Sequence, residues 1–272
     1  MLPLGSKART AAGLLAVFAS VNVVYFVART IYEPLAFPTS IGLATTMIVL
    51  IMRRWHREPP QYDQELRKLT SMVNLMPLMH ETFLPFGQWA MEPEGLVTLL
   101  SHIQFHQPRV IVECGSGLST LLIGNLIKQN RSGHLYSVEE DENWHRTMSN
   151  LIDDQGLGEW ITLVHAPLKP YPVSDGHEVK WYCTEVLKQA LSTVDRIGLL
   201  IVDGPKTVDH LSRFPALPYF ASMVNDKTLL VLDDANRPQE ACVIDEWQKR
   251  YSLSVKMHGG PKRQQAYIRV DS

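Results

Sequence analysis

The sequence predicts an α/β fold: a doubly wound, mostly parallel sheet of seven strands with helices on both faces. Two N-terminal transmembrane helices are expected ahead of it. Three observations predict the sheet. An apolar strand, Arg109–Cys114, runs straight into a glycine-rich turn and a helical pattern. From there to Arg250, strand-like and helix-like segments alternate, which puts parallel strands between covering helices. The chain then closes on two strand patterns joined by His258-Gly-Gly-Pro261, which adds an antiparallel strand at the end of the sheet.

The elements follow in order. Segments 10–28 and 34–52 carry no charge, and each approaches the roughly 20 residues that cross a bilayer core. Lys7 and Arg9 precede the first segment, and Arg53, Arg54 and Arg57 follow the second. That distribution predicts a helical hairpin in the cytoplasmic (inner) membrane, with both ends and the rest of the chain in the cytoplasm. A cleaved signal peptide lacks a clear cleavage site here. A hairpin dipping into one leaflet competes, because Asn22, Pro34 and Pro38 weaken the spans. The boundaries expected are 1–57 for the membrane hairpin, 58–107 for a helical pre-domain or lid, and 108–272 for a cofactor-binding domain.

Glu58-Pro-Pro60 reads as a linker. Leu66, Leu69, Met72, Val73 and Met76 fall at helical spacing, and Pro93 opens a helix to about His106. Strands are expected at 109–114, 134–139, 160–165, 198–203 and 228–233. Helices are expected at 118–129, 142–155, 183–193, 212–223 and 238–250. The terminal hairpin pairs 252–257 with 265–270.

Composition narrows the partners. The formal charge of −2 and the lack of a dense basic block give no support for nucleic acid. The three cysteines, Cys114, Cys183 and Cys242, have no metal-type spacing, so zinc is not expected and a reducing compartment suits them.

The chemistry gathers at strand ends. In Glu113-Cys-Gly115-Ser116-Gly117, the glycines let backbone N–H groups approach a ligand at a helix N-terminus. A nucleotide-like cofactor follows. Thr120 stands where a dinucleotide fingerprint wants its third small residue, and Glu113 is unusual for a nicotinamide site. The second strand ends in Glu139-Glu140-Asp141-Glu142. Glu139 is placed to hold ribose hydroxyls, whereas the following acids can cap the next helix. Asp203 ends the fourth strand, and Asp233-Asp234 end the fifth. Three converging carboxylates need a cation, protons or basic side chains. Mg²⁺ takes oxygen ligands of this kind; helix capping and turn hydrogen bonds are the alternative. His165 ends the third strand and is a candidate general base or a structural histidine. Trp181 and Tyr182 are candidates for packing or for contact with a ligand. Lys206, Arg213 and Arg237 are placed to hold an anionic substrate or to neutralise the aspartates.

In order along the chain, these motifs resemble the class I S-adenosylmethionine (SAM)-dependent methyltransferases, in particular a bacterial group of the Methyltransf_24 type. The resemblance runs from about Leu84 to Trp247. It rests on Leu84-Pro-Phe-Gly-Gln-Trp-Ala90, Glu113–Thr120, Ser137–Trp144, Val164–Leu168, Trp181-Tyr182, Val202–Pro205, Arg213–Pro218 and Leu232–Arg237. It implies a Rossmann-like seven-stranded sheet with its last strand antiparallel. It implies SAM as methyl donor, with Glu113, Gly115, Ser116, Gly117, Glu139, Glu140, His165, Ala166 and Asp203 at the cofactor. Asp203, Asp233 and Asp234 also resemble the metal positions of catechol-type O-methyltransferases, although Asp-Asp replaces Asp-Asn and Pro205 alters the loop.

The function expected is therefore O-methylation of a small-molecule or lipid-linked acceptor at the membrane. His165 and Asp203 are the candidate bases, and Phe86–Met91 is expected to fold over the site. A nicotinamide-dependent oxidoreductase or epimerase and a non-catalytic, membrane-tethered module are the competing readings.

Overall fold

A computed structural model describes residues 61–79, 90–174, 176–260 and 263–271, together with the single residues 23, 30, 45, 46 and 87; for 61–64 it describes the backbone alone. The chain divides into two compact units, Met1–Glu65 and Leu66–Ser272.

The second unit carries the sheet. The helices before the sheet are α1 (Gln61–Leu75) and α2 (Pro93–His106). Pro93 at the first helical turn costs no hydrogen bond there, and Gln107 closes α2 in the left-handed region. Then come β1 (Val110–Cys114), α3 (Leu118–Asn130), β2 (His134–Glu139), α4 (Glu142–Asp154) and β3 (Ile161–His165). A hairpin of β4 (Leu168–Ser174) and β5 (His177–Tyr182) leads to α5 (Thr184–Ala190), β6 (Leu199–Val202), α6 (Ala216–Phe220) and β7 (Leu229–Leu232). The chain finishes with α7 (Pro238–Arg250), β8 (Leu253–Gly259) and β9 (Gln264–Val270).

The seven-stranded sheet has the order β3-β2-β1-β6-β7-β9-β8, and β9 runs antiparallel to both of its neighbours. This is the expected Rossmann-like sheet with its last strand reversed. Strict alternation explains its two faces. In β1, β6 and β7, Val112, Leu200, Val202, Leu230 and Leu232 pack on one side with α5, α6 and α7. Ile111, Leu199, Ile201, Leu229 and Val231 pack on the other side with α2, α3 and α4. Period-two side chains that are apolar at every position are what a strand buried on both faces requires.

Two expectations are corrected, and one pair of strands is new. Among the described residues no helix is long and apolar enough to cross a membrane. The two-span fold and the multi-pass inner-membrane location are therefore withdrawn. Segments 10–28 and 34–52 themselves lie outside the described residues except at Val23, Thr45 and Thr46. A hydropathy window measures composition, and Asn22 and Pro38 inside the two segments, with Pro34 at the start of the second, already weakened the case for apolar spans. The β4–β5 hairpin was not foreseen, because Pro170 and Pro172 argue against a strand. They are tolerated because β4 pairs only with β5, leaving its other edge without a ladder. The helix expected at 212–223 shortens to α6 plus one 3₁₀ turn at Ala221–Met223. Pro215 disfavours a helical residue before it, so Arg213 and Phe214 lie in a run of turns.

Candidate active site

Register brings the predicted residues to one edge. Cys114 of β1 is level with Val138 and Val202, Val202 with Leu232, and Glu139 with His165. The row across the carboxyl ends of the strands thus reads His165, Glu139, Gly115, Asp203, Asp233. In an open α/β sheet this edge is where ligands bind.

The glycine turn sits at its centre. Gly115 has φ +93°, and a Cβ there would lie 2.9 Å from the Gly204 amide nitrogen. Only a glycine allows the two loops to touch. A Cβ at Gly117 would meet nothing within 4 Å, so the space beside the turn is open toward a ligand.

Glu113 is fully buried and lies beneath this turn. Its carboxylate accepts hydroxyl hydrogen bonds from Ser119 (2.6 Å), Thr120 (2.6 Å) and Ser137 (2.7 Å), while Thr120 Oγ1 accepts the Gly117 N–H at 2.9 Å. Glu113 therefore braces the loop from below. Thr120, which spoiled the dinucleotide fingerprint, is the link between brace and turn. Burial pushes the Glu113 carboxyl up to about 7 against the pull of the three hydroxyls. The folded state therefore binds this proton more tightly than the unfolded chain. The stability it brings is complete below about pH 4.5 and is lost as the pH rises to about 7. Urea unfolding of wild type and Glu113→Gln across that window should show wild type losing about 3 kcal/mol relative to the variant. Parallel curves would remove Glu113 as the titrating group.

Glu139 faces the turn from β2. Its Oε2 accepts from the Ser116 amide (3.1 Å) and the Ser116 hydroxyl (2.7 Å), and its Oε1 accepts from the Asp141 amide at 2.9 Å. The Trp144 indole donates to the Ser116 carbonyl at 2.9 Å, a bond that no sequence pattern announces. Asp141 caps α4 through the Trp144 amide at 2.8 Å. Capping thus falls to Asp141, and Glu139 is left facing the turn. Glu140 is half-buried; burial and then Glu139 raise its carboxyl. Ala166 donates its amide to the Glu139 carbonyl at 2.8 Å, and the His165 ring lies 5.3 Å from that of His145.

The aspartates form the other half. Oxygens of Asp203, Asp233 and Asp234 all lie within 4.8 Å of one another. Asp233 is held by the Gln265 amide of β9 at 3.1 Å, and Gln265 is steadied by the Tyr267 hydroxyl. Asp234 pairs with Arg237 at 2.9 Å and with Arg263 at 3.6 Å. Burial, with Asp203 and Asp234 nearby, pushes the Asp233 carboxyl up to about 8; burial raises Asp203 as well. Arg213, almost fully buried, donates to the carbonyls of Asp203, Asp233 (3.1 Å) and Pro205 (3.4 Å), and lies 3.5 Å from the Asp203 carboxylate. Arg213 and Arg237 thus neutralise acids.

Some predicted residues are kept apart. His165 and Asp203 stand three strands from each other, about 14 Å at strand spacing, so they cannot share one proton. Trp181 and Tyr182 are fully buried and pack in the core. Of Phe86–Met91, residues 86, 88 and 89 lie outside the described residues. Ser137, Glu240 and Gln265 were missed, because only tertiary packing brings them to the site.

Residues 112–235 match the Methyltransf_24 model, described as a methyltransferase domain, over a little under half of the chain. No curated protein matches the sequence at a significant level. A SAH-bound methyltransferase from Podospora anserina is 11% identical with a TM-score of 0.50, over 74% of this chain and 88% of that one. An O-methyltransferase from Bacillus cereus in complex with SAH is 13% identical with a TM-score of 0.50, over 76% of this chain and 90% of that one. At such identities the two structures establish the fold. The matched domain gives the class: the chain is a SAM-dependent methyltransferase. The nicotinamide and non-catalytic readings give way to it.

Proposed function

We propose that the enzyme methylates an oxygen of a small-molecule acceptor held beside Asp203, Asp233 and Asp234. The single observation that carries this is the convergence of three carboxylates beside the glycine turn. A hydroxyl acceptor must lose its proton, and carboxyls raised above their ordinary range by burial are suited to take it. The O-methyltransferase from Bacillus cereus supports the same choice of atom.

SAM supplies the methyl group when bound. The residues fit it: the open side of Gly117 leaves room, and Glu139 offers a buried carboxylate at the end of β2. In this reading Gly115, Ser116 and Gly117 present the backbone, and Glu139 takes the ribose hydroxyls in place of the Ser116 hydroxyl. Glu140, His165 and Ala166 line the adenine side, and Asp203 lies at the methyl end. Glu113 acts through the turn it braces, since both of its oxygens already carry hydroxyl donors. His165, three strands away from Asp203, is assigned to binding and Asp203 to the proton. The aspartate oxygens also fit Mg²⁺, which would lower the acceptor's pKa and orient it.

Calorimetry with S-adenosylhomocysteine on the full chain tests the cofactor half. Glu139→Ala should weaken binding by about 10–100-fold, the equivalent of one or two lost charge-assisted hydrogen bonds. Unchanged affinity in a folded variant would move the ribose elsewhere. Repeating the titration with Mg²⁺ present asks whether the aspartates take a metal.

A further inference from the structure

We propose a second site, for a transition metal of the zinc type, made by His177, Asp209 and His210. None of the three belongs to the strand-end row. His177 opens β5 at the tip of the β4–β5 hairpin, and Asp209-His210 sit in the loop between β6 and α6. One ligand atom from each falls within 4.8 Å of the other two.

The separations suit a metal better than a direct bond. Asp209 Oδ1 is 3.5 Å from His177 Nε2 and 3.2 Å from His210 Nδ1. Ligands about 2.0–2.1 Å from a tetrahedral zinc stand about 3.3 Å from one another. His177 Nε2 is buried and has no hydrogen-bond partner. A buried imidazole nitrogen aimed at a carboxylate oxygen, yet too far to bond it well, is what a shared cation would satisfy. Asp209 is already oriented for the task. Its Oδ1 accepts the Leu211 amide at 2.9 Å, and its own amide donates to Ser212 Oγ at 2.8 Å. Such outer bonds fix a ligand's direction before metal arrives.

The donor set separates this site from the aspartate trio. Two imidazoles and one carboxylate select zinc-like ions, whereas three carboxylates favour Mg²⁺. Three protein ligands leave a fourth position for water. The expectation against zinc rested on cysteine spacing, and no cysteine takes part here. A bound ion would tie the hairpin tip to the loop that leads from Asp203 and Pro205 to Arg213. Occupancy at the surface would thereby stiffen the approach to the aspartates.

Calorimetry with Zn²⁺ on the full chain, after treatment with chelator, should show one saturable site. His177→Ala and His210→Ala should each weaken it by at least about 100-fold, with unfolding in chelator unchanged. Co²⁺ should give the intense visible bands of a tetrahedral nitrogen-containing site, and excess Mg²⁺ should leave them in place. In the wild-type protein Zn²⁺ should also shift the imidazole NMR signals of His177 and His210 and leave those of the other histidines in place, a readout that needs no variant. Absence of saturable zinc binding, zinc binding equal in both variants, or Co²⁺ displaced by Mg²⁺ would each overturn the proposal.

Discussion

Arg213→Met is expected to destabilise the fold by about 3–5 kcal/mol, the cost of breaking a buried ion pair from one side. Its guanidinium meets the carbonyls of Asp203, Asp233 and Pro205, and the carboxylates of Asp203 and Glu240 at 3.5 and 3.7 Å. Glu240 is 1% exposed, with the Thr207 hydroxyl on Oε1 at 2.7 Å and no hydrogen bond to Oε2. Methionine keeps the stem and removes the charge, so Glu240 is left buried with one hydroxyl. Lysine should not rescue the loss, because a point charge cannot serve carbonyls on two strands and a loop at once. Removing the stranded acid as well, in Arg213→Met/Glu240→Leu, should recover more than 1 kcal/mol in urea unfolding. A single variant that loses less than about 1 kcal/mol would show that the strand ends hold without Arg213.

That arrangement also shows what sequence could and could not reveal. The edge row was legible because each of its residues closes or directly follows an apolar strand, and parallel strands end together. His165, Glu139, Gly115, Asp203 and Asp233 are therefore found by position alone. Their roles were less legible. Glu113 was expected at the cofactor, and its bracing of the turn became visible only in the fold, where Ser119, Thr120 and Ser137 converge on it from a helix and a neighbouring strand. Gln265 reaches Asp233 from β9, 32 positions along the chain. Glu240 meets Arg213 only because α7 packs over that face. No local signal marks such partners. The β4–β5 hairpin hid behind its prolines, and with it the meeting of His177 with Asp209 and His210. The membrane reading shows the opposite error: apolar composition was legible at 10–28 and 34–52, and a spanning hairpin was inferred from it and from the flanking basic residues.

Asp203→Asn is expected to lower methyl transfer by about 10²–10⁴-fold, the range a positioned proton acceptor contributes. Asparagine keeps the size of the side chain and the backbone carbonyl that Arg213 holds. What it loses is the ability to take a proton from an acceptor hydroxyl. Burial and the nearby Asp234 raise the Asp203 carboxyl, with Arg213 opposing them. The base form therefore appears as the pH rises, and wild-type kcat should climb through that ionisation. The variant should lose this limb and keep a small rate that grows only with hydroxide. Transfer of a tritiated methyl group from SAM to a panel of small phenols measures both effects. Mg²⁺ titration of the same variant separates the two roles open to this residue. Asparagine remains an oxygen donor, so a metal role alone would shift the Mg²⁺ requirement and leave the acid limb. A rate within about 10-fold of wild type, with the acid limb intact, would take the proton away from Asp203. In that event Asp233 is the acceptor to test, since it shares the cluster and its carboxyl is raised to about 8.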